Sequence, residues 1–412
     1  MELFENWKET KETLLEGLPE SKKKILGPVL ENQKAHLLET AASGTTGAGA
    51  IGNFQKIVIP MIRRIIPGTI ATELVGVQPM SGPVGLVYSM RYLFSENVTT
   101  TALPGTINSG AADDIASGDE VFGNNSKTKR FYSSADASVP AGGPAPGTST
   151  GIASSTSDFE AFGGRAMTLE VLKQTVTAGS RKLQARWTPE SMQDLKASHG
   201  LDLEAEITAG LSAAVVSEID NEIINDLIAL AGTTESFDMA GTFTGVPNYV
   251  GDRHAVLGVL INKVANEIAR KTRRGAANWI VVSPLVVSVL QSAAKSVFAP
   301  AVGGSFEGPN NTKLVGVLNG NIKVYSYIYH DQGTEPVLLG LKGGSGEMDS
   351  GYFYCPYVPL MSSGVVVDPN TFNPHLSLMT RYGKATFTST STSLGNSADY
   401  YGRISVSNLS FV

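Results

Sequence analysis

An apolar residue recurs at every fourth position after Asp202, and this repeat constrains the fold more than any other feature of the chain. Its members are Leu203, Ile207, Leu211, Val215, Ile219, Ile223 and Leu227. The spacing predicts one α-helix, which Asp202 caps at its start and Gly232 ends. At 1.5 Å per residue, about 30 residues give a rod of roughly 45 Å, long enough to be the spine of a domain.

The same helix carries six acidic side chains between its apolar positions. They are Glu204, Glu206, Glu218, Asp220, Glu222 and Asp226. Because charged side chains on an amphipathic helix normally face water, we expect these acids to form a solvated face and not a catalytic pair.

Shorter helices flank this one. Thr188 and Pro189 at the start, with Gly200 at the end, predict a helix over 189–199. A third helix is expected over 257–271 and a fourth over 284–291. The third ends in a run of cations, Arg270 to Arg274, as the helix dipole favours. The run lacks interleaved aromatic residues, so we interpret it as capping or an ion pair between subunits and not as a nucleic-acid site.

Short runs of β-branched and aromatic residues predict strands elsewhere. They span 82–94, 279–282, 313–318, 322–329, 337–341, 351–357, 381–388 and 403–411. Alternation in the first run puts Leu86, Tyr88, Met90 and Tyr92 on one side of its strand. The predicted elements include both helices and strands, and we expect an α+β fold.

The first 39 residues differ in composition from the rest, with 8 Glu and 6 Lys among them. One amphipathic stripe predicts a helix over 2–16. Another predicts a second helix, but Gly27 and Pro28 make the residue at which it starts uncertain. The second stripe consists of Ile25, Leu26, Val29, Leu30, Leu37 and Leu38. Two interpretations stay open: a helical pair packed on its own domain, or a removable segment that docks on an internal scaffold.

Two stretches are low in complexity. Residues 40–52 are small and uncharged, as in an arm or linker. They contain the spacing of a dinucleotide fingerprint, Gly47, Gly49 and Gly52, but no strand precedes it and no helical pattern opens inside it, so we reject that function. The pattern also dissolves over 95–164, which predicts a long loop that is either disordered or extends over a neighbouring subunit and is ordered there.

The sequence contains no recognisable catalytic, metal-binding or cofactor-binding motif. Its five histidines are not at metal-ligand spacing, its one cysteine, Cys355, lies in an aromatic strand and is expected to be buried, and no cofactor motif is present. A net charge of −6 disfavours generic phosphate binding. No apolar run is long enough for a membrane helix. An enzyme with Glu96, Asp226 or His254 at its site is an alternative, although nothing in the sequence orients these three.

Several long stretches, in order, resemble the major capsid protein of T-even-type tailed phages. They are 63–91 (RRIIPGTIATELVGVQPMSGPVGLVYSMR), 180–207, 268–290, 346–360 and 368–383. The resemblance implies the HK-ninety-seven-type capsid fold, with an N-terminal arm, an extended loop, a peripheral domain with a spine helix, and an axial domain. The extended-loop region of this chain is too short for the insertion domain that relatives carry there.

The resemblance also implies a division of the chain. We expect a cleavable scaffold-docking segment at 1–39, an arm at 40–80, the extended loop at 81–165, the peripheral domain with its spine helix at 166–235, the axial domain at 236–375, and strands that return to the peripheral domain at 376–412.

The resemblance further implies maturation by a prohead protease that cuts after a Leu/Ile-x-Glu sequence. Leu37, Leu38 and Glu39 fit this pattern, so the mature chain would begin at Thr40, and residues 14–16 fit it as well. Contacts between subunits are expected from the Arg63–Arg64 and Arg273–Arg274 pairs.

The implied function is a shell subunit that forms hexamers in a phage head, assembled in the host bacterial cytoplasm and found in the virion capsid. Its implied partners are further copies of itself, a vertex capsid protein, an internal scaffold, a prohead protease, decoration proteins, and packaged DNA bound without sequence specificity. A pentameric vertex paralogue of the same fold is the nearest alternative. A cellular nanocompartment shell is a further one, against which the charged first segment argues.

Overall fold

A computed structural model describes the greater part of the chain. The residues described are 7–16, 18, 20–42, 69–95, 135–136, 151–152, 167–239, 250–272, 274–293, 298–300, 313–328, 335–343, 350–387 and 396–409. Within these ranges the chain combines α-helices with mainly antiparallel sheets, and this confirms the predicted α+β class.

Seven α-helices occur in the described residues. They are α1 (Trp7–Leu15), α2 (Glu20–Ala42), α3 (Ala71–Leu74), α4 (Pro189–His199), α5 (Leu203–Leu230), α6 (Val250–Thr272) and α7 (Pro284–Ser292). A 3₁₀ turn, Ser397–Tyr400, leads into the last strand. None of the described helices is both long and apolar enough to cross a membrane.

Three of these helices, α4, α5 and α7, follow from local signals. Thr188 accepts the Ser191 N–H at the start of α4, and Gly200 ends that helix in the left-handed conformation, with φ of 67°. Asp202 caps α5 by accepting the Glu204 N–H. Helix α7 begins at Pro284 after a Ser283 cap. Helix α6 begins seven residues before the start that the sequence predicted, and helix α2 runs straight through Pro28.

The strands form two main sheets and a separate ribbon. In chain order they are β1 (Gly76–Val77), β2 (Val84–Phe94), β3 (Ala135–Asp136), β4 (Gly151–Ile152), β5 (Met167–Thr177), β6 (Gly179–Arg186), β7 (Thr233–Asp238), β8 (Trp279–Val282), β9 (Phe298–Pro300), β10 (Lys313–Leu318), β11 (Ile322–Ser326), β12 (Glu335–Gly340), β13 (Tyr352–Val367), β14 (Pro374–Thr386) and β15 (Tyr401–Ser407). Strands β5, β6, β7 and β9 are not among the strands predicted from the sequence.

The first sheet has the order β1-β13-β14-β6 and is antiparallel except for the β1–β13 pair. The second has seven strands in the order β7-β15-β12-β8-β11-β10-β9, with parallel and antiparallel neighbours. Among the described strands, β2 and β5 pair only with each other, as an antiparallel ribbon, and β3 and β4 form a two-residue pair.

Sheet membership does not follow the division predicted from the sequence. Strand β13 lies within the range assigned to the axial domain, yet it belongs to the four-stranded sheet. Strand β15 lies within the range assigned to strands returning to the peripheral domain, yet it pairs with β12 and β7 in the seven-stranded sheet. The chain therefore crosses between the two sheets more often than its order of segments indicates.

Helix α5 packs against both main sheets, with β6 on one side and β15 and β12 on the other. Its apolar face is buried: Val216, Ile219, Ile223, Ile224 and Leu227 are at most 1% exposed. The same continuous core includes residues of both sheets and of α6. Helix α5 is therefore the spine that the four-residue repeat predicted.

The acidic residues of α5 do not form one solvated face, and that prediction was wrong. Asp220 is buried, at 3% exposure, where its Oδ1 accepts the backbone N–H of Ile70 at 3.0 Å. The other carboxylate oxygen has no hydrogen-bond partner among the described residues. Burial raises the pKa of Asp220 to about 8, although the Ile70 hydrogen bond acts in the opposite direction.

The first two helices pack on the body of their own chain. Ile25, Leu26, Val29 and Leu30 of α2 are buried in the main core, and Trp7, Leu14 and Leu15 lie against it. Each fully buried side chain of this kind contributes about 1.5–3 kcal/mol. Of the two interpretations that the sequence left open, the structure favours the helical pair packed on its own domain.

We expect Gly340→Ala to destabilise the chain. A methyl group at this position would lie 2.1 Å from the Cζ2 atom of Trp279, which is fully buried in the neighbouring strand. Overpacking of this kind typically costs about 1–3 kcal/mol. Urea unfolding of the purified chain measures the loss.

Gly210→Ala is the matched control for that substitution. Nothing lies within 4 Å of the added methyl, and the residue is inside α5. The gain in helix propensity should stabilise the chain by about 0.5–1 kcal/mol. Equal effects of the two substitutions would contradict the close approach of Trp279 to Gly340.

We expect Asp220→Asn to flatten the pH dependence of stability. Because the pKa of Asp220 is raised from 3.8 to about 8 in the folded chain, its contribution is fully present below about pH 4 and is lost as the pH rises to 8. The substitution removes this loss. Unfolding free energies measured from pH 5 to pH 8 test it, with the exposed Glu206→Gln as the control.

Candidate assembly surfaces

A network of charged and phenolic side chains joins the spine helix to the four-stranded sheet. From β6, Arg181 donates to Glu218 at 2.9 Å and to Glu222 at 2.7 Å. Its Nε donates to the hydroxyl of Tyr382 at 2.7 Å, and that hydroxyl in turn donates to Glu222. From β14, Lys384 donates to Glu222 at 3.0 Å.

The network continues along α5 to Asp226. Lys384 donates to Asp226 Oδ2 at 2.6 Å, and the hydroxyl of Tyr352, from β13, donates to the same oxygen at 2.9 Å. Glu218, Glu222 and Asp226 are four residues apart, so they form a carboxylate stripe on one side of the helix. That stripe faces two cations and two tyrosine hydroxyls from three strands, which fixes the rotation of the spine against the sheet.

Hydrogen bonding sets the protonation of the central carboxylate. Burial raises the pKa of Glu222, but hydrogen bonds from Tyr382, Lys384 and Arg181 more than offset this and bring the pKa to about 2. Partial burial lowers the pKa of Lys384, and its bonds to Asp226 and Glu222 raise it further than burial lowers it. The lysine therefore stays a charged partner of two carboxylates and is not an amine nucleophile.

This network borders a cleft of about 450 Å³ that is open to solvent. The base of the ribbon, at Thr175 and Thr177, forms its other wall. The cleft walls combine hydroxyls, one acid and two cations, which suits polar contact with another protein surface better than an apolar ligand.

The β2–β5 ribbon has one buried side and one exposed apolar side. Val87 and Val176 are buried with Met80 in a second, smaller core at the base of the ribbon. On the opposite side the large apolar side chains face solvent. Six of them are Val84, Leu86, Tyr88, Tyr92, Leu169 and Val171, all between 41% and 59% exposed. We call these six residues the ribbon face.

The register places the members of the ribbon face together. Tyr92 lies directly opposite Leu169, and Val171 is two residues farther along β5 on the same side. A contiguous apolar surface on a two-stranded ribbon is unusual in a protein that works as a monomer. The sequence predicted the shared side of β2, but it did not show that this side faces away from the core.

The structure places the predicted processing residues in a helix. Leu37, Leu38, Glu39 and Thr40 lie in the last turns of α2, which ends at Ala42. Of the four arginines predicted to make contacts between subunits, Arg63, Arg64 and Arg273 lie outside the described residues. Arg274 is exposed just after α6, where its backbone N–H approaches Thr272 Oγ1 at 3.5 Å.

The residues of the alternative enzyme do not form a common site in the described part of the chain. Glu96 lies outside it. Asp226 is oriented by Tyr352 and Lys384, whereas the buried His254 contacts Ser292, with 2.6 Å between Nδ1 and Oγ. Among the described residues there is also no group of three His, Cys, Asp or Glu able to hold a metal ion.

Cys355 is buried, and two cations at the end of α6 contact side chains of their own chain. The Cys355 thiol is buried, which raises its pKa to about 12 and makes it unreactive as a nucleophile. Lys271 donates to Thr233 Oγ1 at 2.8 Å, and Arg270 lies 3.4 Å from Glu267.

Comparison with known proteins identifies relatives over nearly the whole chain. The family model of the major capsid protein Gp23 matches residues 51–406. The major capsid protein of Vibrio phage KVP40 is 32% identical over an alignment that covers 97% of this chain and 96% of that protein. The major capsid protein of Enterobacteria phage T4 is 28% identical, with coverage of 93% and 90%.

Solved structures show weaker similarity. A chain from Microbacterium phage Oxtober96 matches with a TM-score of 0.44 and 12% identity, covering 82% of this chain and 91% of that one. The capsid of Myoviridae phage XM1 matches with a TM-score of 0.40 and 10% identity, covering 80% and 90%.

Proposed function

The chain belongs to the Gp23 major capsid protein family and is a shell-forming subunit of a tailed-phage head, and from this premise we propose that it forms the hexameric capsomers of that shell. The observation that carries the proposal is the exposed ribbon face, because a subunit in a ring needs an apolar surface that its own fold does not cover. The virion capsid is its location, and assembly takes place in the host bacterial cytoplasm.

The two main sheets belong to different domains of the proposed subunit. We assign the four-stranded sheet, with α5, to the peripheral domain, and the seven-stranded sheet, with α6, to the axial domain at the centre of the capsomer. Strand β13 then belongs to the peripheral domain and β15 to the axial domain, which revises the boundaries at 236–375 and 376–412.

The extended loop, 81–165 in the predicted division, reaches over an adjacent subunit. Its described base is the ribbon, which begins at Val84 and returns at Met167. The ribbon face packs on the neighbouring copy, and the polar cleft beside it accepts charged side chains of the same neighbour. Each contact is modest, and the closed shell lasts because loss of one subunit breaks several contacts at once.

Residues 1–39 are the segment that the prohead protease removes, with the cut after Glu39. Leu37 to Thr40, which flank the cut, lie in the last turns of α2. That end of the helix must therefore unwind before a protease can bind it. The apolar stripe of α2 packs on the chain itself, so we propose that the internal scaffold contacts the charged outer side of the two helices and not the Leu/Trp stripe predicted from the sequence.

Other partners follow from the role in a shell. A vertex capsid protein fills the five-fold positions, decoration proteins bind outside, and packaged DNA meets the inner surface without sequence-specific binding, in keeping with the net charge of −6. A pentameric vertex subunit is the second candidate function, because the same fold and ribbon face serve either ring.

The double substitution Tyr92→Ser with Leu169→Ser should block assembly while the subunit stays folded. The two residues are opposite each other on the ribbon face and about half exposed, so their loss removes apolar contact area without opening the core. Sedimentation velocity and electron microscopy of infected-cell lysates should show at least a tenfold loss of shells. Gln174→Ala, on the other side of the same ribbon, is the control, and a wild-type yield from the double variant would contradict the proposal.

Particles should contain a chain that begins at Thr40. Mass spectrometry of subunits from native particles, compared with unassembled subunits, measures the new N-terminus. Glu39→Gln removes the acid that the proposed cut requires and should leave residues 1–39 attached in assembled particles. A mature N-terminus well away from Thr40 would overturn the assignment of the site.

A further inference from the structure

Helix α2 occupies a groove on the body of its own chain. Its four core residues are at most 5% exposed. Next to them, the Nδ2 amide of Asn32 donates to the backbone carbonyl of Met80 at 2.7 Å and lies 3.4 Å from that of Tyr357. Nearer the start of α2, Lys22 is 3.3 Å from Glu73. We call this site, built by residues 73–80 and β13, the α2 groove.

Removal of residues 1–39 would uncover the α2 groove. Apolar atoms that α2 now covers would face water, and Glu73 would lose Lys22, keeping only Lys323 at 3.9 Å among its described ion pairs. An apolar surface beside an acid is favourable for another segment that combines apolar and cationic side chains.

We infer that residues 57–66 of the chain's own arm occupy the α2 groove after residues 1–39 have been removed. This inference rests on the proposed cut after Glu39. The stretch IVIPMIRRII supplies both chemistries that the groove requires: apolar residues for the surface that Ile25 to Leu30 covered, and Arg63 or Arg64 as the counter-charge for Glu73.

The short covalent link between Arg64 and Thr69 favours the chain's own arm over a second copy as the occupant of the α2 groove. Ile70 is held in place because its N–H donates to Asp220 at 3.0 Å. Four residues lie between Arg64 and Thr69, and the five steps of the backbone span at most about 18 Å when extended, so Arg64 cannot lie farther than this from Thr69, which is four residues before Glu73. Such a short link gives a high effective concentration. In the uncut chain α2 holds the groove, and the two segments compete for it.

Disulfide trapping tests the exchange. The chain would carry an inserted site for a specific protease after Glu39, so that residues 1–39 can be removed independently of the phage enzyme. Arg64→Cys with Glu73→Cys should form an intrachain disulfide under mild oxidation at least tenfold more in the cut than in the uncut chain. Lys22→Cys with Glu73→Cys should be joined by a short bismaleimide cross-linker in the uncut chain, because the ends of the native side chains are 3.3 Å apart. The native Cys355 is buried and does not interfere.

Arg64→Cys with Glu190→Cys is the matched control pair, because Glu190 is exposed on α4, and it should form no more disulfide after cutting than before. A disulfide between two chains would mean that a neighbouring copy fills the groove, and it would overturn the inference. Equal trapping in the cut and uncut chains, or a released fragment that stays docked and prevents trapping, would overturn it as well.

Hydrogen exchange gives a second measurement that needs no cysteine. In the chain with only the inserted site, amides of 57–66 should gain at least tenfold protection after cutting, and unchanged exchange there would overturn the inference. The N-terminus of subunits from native particles separates the two proposals. If the cysteine pair is trapped after the engineered cut but native particles begin at another residue, the exchange in the groove is supported and the proposed processing site is contradicted.

Discussion

The burial of one long helix between two sheets is the constraint on which the rest of the structure depends. Helix α5 contributes its apolar face to a core shared by the four-stranded and seven-stranded sheets. Because both sheets pack on the same rod, neither can shift without exposing apolar residues of the other. The subunit can therefore present its ribbon and its N-terminal helices as separate surfaces on a rigid body.

Charge fixes the rotation of that helix where apolar packing alone would not. A stripe of carboxylates, centred on Glu222, meets Arg181, Lys384 and two tyrosine hydroxyls from three strands. A rotation of α5 by one residue would break these bonds together and leave the part-buried hydroxyls of Tyr352 and Tyr382 without their carboxylate partners, which costs more than the loss of one surface ion pair. The same network forms one wall of the cleft beside the ribbon, so a structural device also shapes an assembly surface.

The N-terminal helices show how one segment can belong to a fold and still be removable. Their apolar side chains lie in the core, but their covalent link to the body runs through a stretch of small, uncharged residues after Ala42. The proposed cut after Glu39, just before that stretch, would leave only the groove contacts to hold them. If the chain is cut as we propose, a segment bound in this way would contribute to folding of the precursor without being a permanent part of the shell.

The sequence by itself determined the long helix, its Asp202 cap, the start and end of α4, the burial of Cys355 and the family resemblance, because each depends on local spacing or on a long ordered match. It did not determine the role of the acids on α5: a solvated carboxylate and a buried or paired one have the same local pattern, and only packing against Ile70, Arg181 and Lys384 decided between them. Strands β5 and β6 were missed because their alternation is weak and their partners lie far away in the chain. The tertiary structure likewise decided which side of the ribbon faces water and that α2 packs on its own chain. Both depend on which surfaces the rest of the chain leaves uncovered.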